Sequence, residues 1–499
     1  MTTRSLLLGP PGCGKTERLL IEMERSLHRG VSPGRIAFVS FTRAAVREAR
    51  ARACEKFKLV PDDLPNFRTL HSLAFRGLNL RRGDVLDRSD LARLEEITGE
   101  EITGHHELDA PTLGERGDAL LFLDQTSRAA GLTLEEMWHR HGAAIDWRRL
   151  ERFVGAYHEF RRDSMKIDFT DMLEAYVGRG VGADLDRFPM AGAPADVDDV
   201  FLDEAQDLSP LQWRVAERAF GSAENLWVAG DDDQAIYAWA GADATALLDF
   251  EGRREVLGQS FRLPRAVHAL AAEVASTIER RNSKAFAPRD DEGAVEWVRR
   301  IEEVDLSTGN WLLLARTRRQ LAPLTELARG QGVTYSVMGE SAVDAPTVHL
   351  IRTWEALRAG RRVNGTVARR LREARAVPAG MPLEEDVEYS AADLGLTGEL
   401  PIWHDALTGV PVDDREYLLS CLRRGERLLD APRVRVSTIH GAKGAEADHV
   451  LLLTDVPARV WRGMELDPDA EARVLYVAVT RARQALTIVA PRGRMAYQL

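Results

Sequence analysis

The sequence predicts an α/β protein built from two doubly wound parallel-sheet cores, each interrupted by a mainly helical insertion. Three observations carry this. The apolar run Leu6-Leu7-Leu8 leads into Gly9-Pro10-Pro11-Gly12-Cys13-Gly14-Lys15-Thr16, with a helical pattern behind it. Two later apolar runs end in acidic residues, at Asp203-Glu204 and at Gly230-Asp231. The alternation starts again at Trp311 and resumes at Val434, after a long stretch without strand signal. A chain of 499 residues is too long for a single core.

The first segment fits G-x-x-x-x-G-K-[ST] between a strand and a helix, the context of a phosphate-binding loop. Glycines there let backbone N–H groups converge on phosphate oxygens, and the helix starting near Lys15 points its positive end at them. Lys15 is expected to reach the β- and γ-phosphates, with the Thr16 hydroxyl on Mg²⁺. A Gly/Pro turn that happens to end in Lys-Thr is the competing reading, and the flanking strand and helix argue against it.

Residues 4–8 read as a strand and 15–28 as a helix, with Leu19, Leu20, Met23 and Leu27 at helical spacing. Ile36–Thr42 reads as a buried parallel strand, and a basic helix runs from Arg43 to Phe57. Such a start places ligands at the carboxyl ends of the strands. Residues 85–165 carry helical patterns at Leu91–Ile97, Ala119–Ala129, Leu134–His139 and Trp147–Phe160, and read as an insertion. His105, His106 and Glu107 have no further ligand at a metal-site spacing and read as a solvated loop. Strands follow at Asp199–Glu204, Leu226–Asp231 and Trp311–Ala315. Residues 343–430 read as a second helical insertion, and Val434–Ile439, Val450–Leu453 and Ala485–Val489 as the last strands. The domains expected are 1–84 with 166–257 as the first core, 85–165 as its insertion, 258–342 with 431–499 as the second core, and 343–430 as its insertion.

The strand ending in Asp203-Glu204 supplies what a nucleotide hydrolase needs beyond its phosphate loop. Asp203 suits Mg²⁺ through its water shell, and Glu204 suits the orientation and deprotonation of the attacking water. The bland alternative is a pair of strand-end acids facing solvent. Hydrophobic residues at 44% and charged residues at 29% describe a globular chain, and no apolar run approaches the ~18–20 residues of a membrane span. Cys13, Cys54 and Cys421 are too dispersed for a disulfide framework or metal cluster, which fits a reducing, cytoplasmic setting. The net charge of −11 argues against a passive nucleic-acid coat, but leaves room for a motor whose basic groups line one groove.

At these residues the chain resembles the UvrD/Rep/PcrA family of superfamily 1 DNA helicases. Ser40-Phe41-Thr42-Arg43-Ala44-Ala45 and Thr69-Leu70-His71-Ser72-Leu73-Ala74 are similar to its single-strand-contacting motifs, and Asp168-Phe169-Thr170-Asp171-Met172-Leu173 to its return into the first core. Asp203-Glu204-Ala205-Gln206-Asp207 matches its acidic box, and Gly230-Asp231-Asp232-Asp233-Gln234-Ala235-Ile236-Tyr237-Ala238-Trp239 its most discriminating segment. Gln259-Ser260-Phe261-Arg262, Thr438-Ile439-His440-Gly441-Ala442-Lys443-Gly444-Ala445-Glu446 and Tyr476-Val477-Ala478-Val479-Thr480-Arg481 are similar to the later motifs. The resemblance implies two RecA-like domains with ATP hydrolysed in the cleft between them. Gln234 would sense the γ-phosphate. Phe261 would stack on the base, Arg262 would touch the γ-phosphate, Glu446 would meet the ribose and Arg481 would act as arginine finger. Thr42, Arg43, His71, Tyr237, Trp239, Thr438 and His440 would face DNA. Trp239 alone reads as a core tryptophan; its register after Gln234 reverses that.

The resemblance implies 3′→5′ movement along single-stranded DNA and unwinding at single-strand/duplex junctions, with ATP and Mg²⁺. Departures from the family pattern bear on this. Only Met1–Leu8 precede the loop, so the adenine-reading glutamine segment is expected to be missing. Glu17 stands where an arginine is usual, with Arg18 one place on, and Phe261 where tyrosine is common. Weaker ATP-over-GTP discrimination is expected. Ala240 replaces an arginine, Ala445 and Ala447 replace Leu and Phe, the second insertion is short, and no nuclease-like domain is expected after the last motif. These changes favour an alternative, a single-strand translocase or DNA-stimulated ATPase that needs a partner, such as a nuclease in repair or defence. An RNA helicase of the same superfamily and a non-catalytic scaffold are further rivals. The Asp-Gln-x-Ile-Tyr-x-Trp run speaks against the first, and Lys15, Glu204 and Arg481 against the second.

Overall fold

The computed structural model describes residues 2–103, 117–141, 145–178 and 191–499. His105, His106 and Glu107 lie outside the described residues. The chain forms two compact units: Met1–Gly293 with Ala458–Thr480 and Leu499, and Ala294–Pro457 with Arg481–Gln498. Each is an α/β unit around its own sheet.

The first unit contains six strands: β1 (Thr3–Leu8), β2 (Ile36–Val39), β3 (Phe67–Arg68), β4 (Asp199–Leu202), β5 (Asn225–Gly230) and β6 (Arg253–Val256). They form one parallel sheet in the order β3-β2-β4-β5-β1-β6. Because successive side chains face opposite ways, β1 feeds two cores. Leu7 packs with Leu19, Leu20, Met23 and Phe38 on one face, while Leu6 and Leu8 pack with Val39, Val200 and Leu211 on the other. Burial on both faces explains the unbroken apolar runs of β1, β2 and β4. Edge strand β6 is largely exposed, and its Arg-Arg-Glu-Val sequence gave no strand signal.

Helices Arg88–Thr98, Gly117–Ala130, Leu134–Arg140 and Trp147–Ser164 make the first insertion, with a core around Leu120, Leu123, Leu150 and Tyr157. A buried ionic knot ties it to the core. Arg128 and Arg161 both reach Asp168 and Asp171, and the Tyr157 hydroxyl donates to Asp168 at 2.8 Å.

The second unit holds β7 (Ala294–Val298), β8 (Trp311–Ala315), β9 (Tyr335–Val337), β10 (Glu340–Ser341), β11 (Val363–Asn364), β12 (Glu388–Tyr389), β13 (Val434–Thr438), β14 (Ala447–Leu453) and β15 (Ala482–Val489). Seven form a sheet in the order β10-β9-β13-β8-β14-β15-β7, parallel except for the β9–β10 pair. The second insertion is helical at Ala345–Arg358, Gly365–Glu373, Trp403–Ala406 and Val412–Arg423, with the short β11–β12 pair added.

The units divide the chain differently from the sequence boundaries at two places. Residues 258–293 and 458–480, expected in the second core, group with the first unit. Helix Arg265–Ser276 packs on helix Pro468–Val479, and residues 260–262 hydrogen-bond to the glycine-rich loop.

Candidate nucleotide and nucleic-acid sites

Every strand of the first sheet runs the same way, so the loops after β1, β2, β4 and β5 emerge along one edge. The loop after β1 turns through Gly12 at φ 71° and Gly14 at φ 77°, left-handed conformations that glycine adopts without strain. Gly14 caps helix Lys15–His28 without a side-chain bond, leaving the first-turn N–H groups to a ligand. The Lys15 side chain folds back over the loop, its Nζ donating to the Gly9 carbonyl at 3.1 Å. A Cβ on Gly9 would meet Lys15 Cγ at 2.0 Å.

The carboxylates after β4 close in from the side. Thr16 Oγ1 donates to Asp203 Oδ2 at 2.8 Å, and Lys15 Nζ lies 3.7 Å from Glu204 Oε1. Burial, then the adjacent Glu204, raises the Asp203 carboxyl to about 6, against Lys15 and the Thr16 hydroxyl. Burial also works against the Lys15 ammonium, but Glu204, Asp231 and Asp203 outweigh it and hold it above the ordinary lysine value. Glu204 itself sits at φ 56°, a strained backbone for a side chain of this type. The Thr16 hydroxyl and the Asp203 carboxylate are adjacent hard oxygen donors. They fit a Mg²⁺ ion that takes its other ligands from water and phosphate.

From β5 the chain enters Asp231–Gln234. Gln234 Nε2 donates to Asp231 Oδ2 at 2.8 Å, and the Asp231 N–H donates to Gln206 Oε1 at 3.0 Å. Gln206 Nε2 in turn donates to the Glu204 carboxylate. In the sequence Gln206 is one position of the acidic box; in the fold it bridges the loops of β4 and β5.

The segment after β6 lies against the glycine-rich loop. Ser260 Oγ donates to the Pro11 carbonyl at 2.7 Å, and the Phe261 N–H to the Gly12 carbonyl at 2.8 Å. The Phe261 ring is 67% exposed, and Arg262 Nη1 reaches the Thr480 carbonyl at 3.4 Å. Glu17 pairs with Arg52 and Lys56. Arg18 grips Glu255 of β6 with two donors at 3.1 Å and also pairs with Glu22.

An aromatic row runs beside this edge. Phe41 stacks on Tyr237 with centroids 5.9 Å apart, Tyr237 lies 6.5 Å from Trp239, and Trp239 stacks on Phe122 of the first insertion at 5.7 Å. Trp239 is half-buried, and its carbonyl is bonded by His141 Nε2 at 3.1 Å. Phe122 gave no signal in the sequence, since it sits in an ordinary helical pattern. Thr42 and Arg43 are exposed, with Thr42 capping its helix through Ala45. His71 meets the exposed Phe169 ring edge-on at 6.0 Å; desolvation and the Arg43 guanidinium lower its imidazole to about 4.

In the second unit the candidates fall at opposite edges of the sheet. Buried Thr438 ends β13, and His440 lies two residues beyond the strand. Glu446 and Arg481 precede β14 and β15 at the amino-terminal edge, roughly 20 Å away at 3.3 Å per residue. There Arg481 Nη1 donates to the Ala445 carbonyl at 3.2 Å, and Arg483 pairs with Glu446.

A model of the UvrD/REP helicase N-terminal domain matches residues 1–254, and one of the UvrD-like helicase C-terminal domain matches 419–492. The chain is 24% identical over 319 residues to the putative ATP-dependent DNA helicase YjcD of Bacillus subtilis, covering 57% of this chain and 38% of that one. It is 26% identical over 308 residues to ATP-dependent DNA helicase PcrA of the same organism, covering 58% and 39%. Against ATP-dependent DNA helicase UvrD2 of Mycobacterium tuberculosis it is 29% identical over 329 residues, covering 58% and 46%. The chain thus aligns with less than half the length of each of these relatives. With both domain models matched in order, the chain belongs to the UvrD/REP helicase family.

Proposed function

We propose that this chain is an ATP-dependent DNA translocase and helicase that moves 3′→5′ on single-stranded DNA and separates strands at junctions. The observation that carries the reading is the cluster in which Lys15, Thr16, Asp203 and Glu204 converge on the loop after β1. The names of the relatives support it.

In this reading the loop N–H groups and Lys15 hold the triphosphate, and Mg²⁺ held by Thr16 and Asp203 would neutralise its oxygens. Glu204 takes the proton of the attacking water, and Gln234 senses the γ-phosphate beside it. Phe261 stacks on the base, Arg262 steadies the phosphates, and Arg481 serves as arginine finger with Glu446 at the ribose. An arginine suits that task because its planar fork spreads donors over developing phosphoryl charge. Tyr237 and Trp239 stack on bases without sequence preference; Thr42, Arg43, His71, Thr438 and His440 line the strand.

Unwinding of duplexes with 3′ or 5′ single-strand tails tests the reading. ATP-dependent opening of 3′-tailed duplex alone is expected; opening from the 5′ tail alone would contradict the polarity. Ala240 and the short second insertion favour a second reading, a translocase that opens duplex only with a partner protein. ATP-driven displacement of a protein block from single-stranded DNA, without unwinding, would select it.

A further inference from the structure

Three consecutive aspartates, Asp231, Asp232 and Asp233, are all buried. Adjacent buried carboxylates repel one another, and a cation brought among them offsets that repulsion. That cation is Lys284, one of six lysines in the chain. Its Nζ lies 2.9 Å from Asp231 Oδ1, 2.6 Å from Asp232 Oδ1 and 2.9 Å from Asp233 Oδ2, with the side chain 0% exposed. Arg281 adds a two-pronged grip on Asp233, at 2.8 Å from Nε, and the Asn282 N–H donates to Asp232 at 2.8 Å. Arg473 holds the Asp232 carbonyl at 3.0 Å. Burial opposes the Lys284 charge, and the three carboxylates outweigh it and hold the ammonium above the ordinary lysine range.

Asp231 is also the node between the two groups assigned to the reaction. One of its carboxylate oxygens faces Lys284 and the other accepts from Gln234. Its N–H bonds Gln206, which bonds Glu204. The path from Lys284 to Gln234 therefore runs through a single side chain, and the path to Glu204 through two. An ammonium has three rotatable donors and can satisfy three carboxylates around one point. A guanidinium is larger and spreads its donors in one plane rather than around one point.

We propose that Lys284 is a positioning residue for nucleotide hydrolysis, which fixes the Asp231–Asp233 turn and through it the side chain of Gln234. The inference rests on the phosphate-sensing role proposed for Gln234. It assigns to a residue outside the nucleotide-contacting motifs the geometry of the sensor.

The test measures single-strand-stimulated ATP turnover in wild type, Lys284→Met, Lys284→Arg, Gln234→Ala and the double variant Lys284→Met/Gln234→Ala. Thermal melting accompanies each variant, and Lys284→Arg keeps the cluster charged should Lys284→Met fail to fold. Lys284→Arg and Lys284→Met are expected to lower kcat about tenfold with KM for ATP within about twofold, the pattern of a lost transition-state contact. The double variant is expected to be no slower than Gln234→Ala, because a residue acting through Gln234 has nothing left to position. Wild-type kcat in a folded Lys284→Arg, or a double variant slower than Gln234→Ala by the whole Lys284→Met factor, overturns the inference alone. A wild-type chain without nucleotide turnover overturns the reading it rests on and the inference with it.

Discussion

Gly12 and Arg262 are packed so closely that neither position tolerates another atom between them. A Cβ on Gly12 would sit 2.2 Å from Arg262 Cβ and 3.0 Å from its backbone nitrogen, and Gly12 is left-handed at φ 71°. Gly12→Ala therefore has to push the segment after β6 off the loop and also hold a strained backbone, at a cost of about 1–3 kcal/mol for the backbone alone. Loss of fluorescent-nucleotide binding, with a lowered melting temperature, is the expected outcome. Wild-type nucleotide affinity in Gly12→Ala would show that the two segments separate freely.

Neither residue that follows Lys15-Thr16 is available to read a purine edge. Glu17 is engaged by Arg52 and Lys56, and Arg18 by Glu255 and Glu22. Phe261 is exposed, and in the proposed reading it stacks on the base, a contact that accepts any purine face. Turnover with GTP is expected to lie within about fivefold of that with ATP, measured as kcat/KM, since a stacking face discriminates by less than about 1 kcal/mol. A hundredfold preference for ATP would contradict this.

Trp239 makes both a packing contact with Phe122 and, in the proposed reading, a base stack. Trp239→Ala is expected to weaken single-strand binding about fivefold or more, as one lost stack is worth ~1–3 kcal/mol. KM for ATP without DNA should stay within about twofold. Fluorescence-anisotropy binding and ATP kinetics measured side by side separate the roles. Equal losses in both would identify Trp239 as a packing residue only.

His141 links acid stability to the same corner. Burial, with Arg459 and Arg140 nearby, lowers its imidazole from the ordinary 6.5 to about 4, against the bond to the Trp239 carbonyl. The folded state therefore holds it neutral while the unfolded chain takes up a proton below pH 6.5. Stability from this residue is constant above 6.5 and is lost as pH falls from 6.5 towards 4, by about 2 kcal/mol at pH 5. His141→Gln keeps a donor for the carbonyl and removes the titration. Urea unfolding at pH 8 and pH 5 should show a shallower pH dependence in the variant by about that amount. Identical slopes in the two proteins would refute the assignment.

The glycine-rich loop, the strand-end acids and the central strands were legible because buried parallel strands read as unbroken apolar runs. The loops that carry chemistry also sit directly after them. Edge strands β6 and β7 were not legible, since their half-exposed residues, such as Arg253, Glu296 and Trp297, break that pattern. The partners that orient the site were hidden for another reason. Lys284 lies about fifty positions from the aspartates it holds, and Phe122 lies in the first insertion while Trp239 follows β5 of the core. Only the folded chain brings either pair together. The segment 258–293 reads as the opening of a second core, but its hydrogen bonds to Pro11 and Gly12 group it with the first unit.

The central claim is that the Lys15–Glu204 cluster hydrolyses ATP in response to single-stranded DNA. The direct measurement is phosphate release from ATP by wild type and by Glu204→Gln, with and without a single-stranded oligonucleotide. The account requires stimulation by DNA in wild type and a loss of about 10²–10⁴-fold in Glu204→Gln, the usual contribution of a positioned base. Turnover that ignores DNA, or survives in Glu204→Gln, would contradict it.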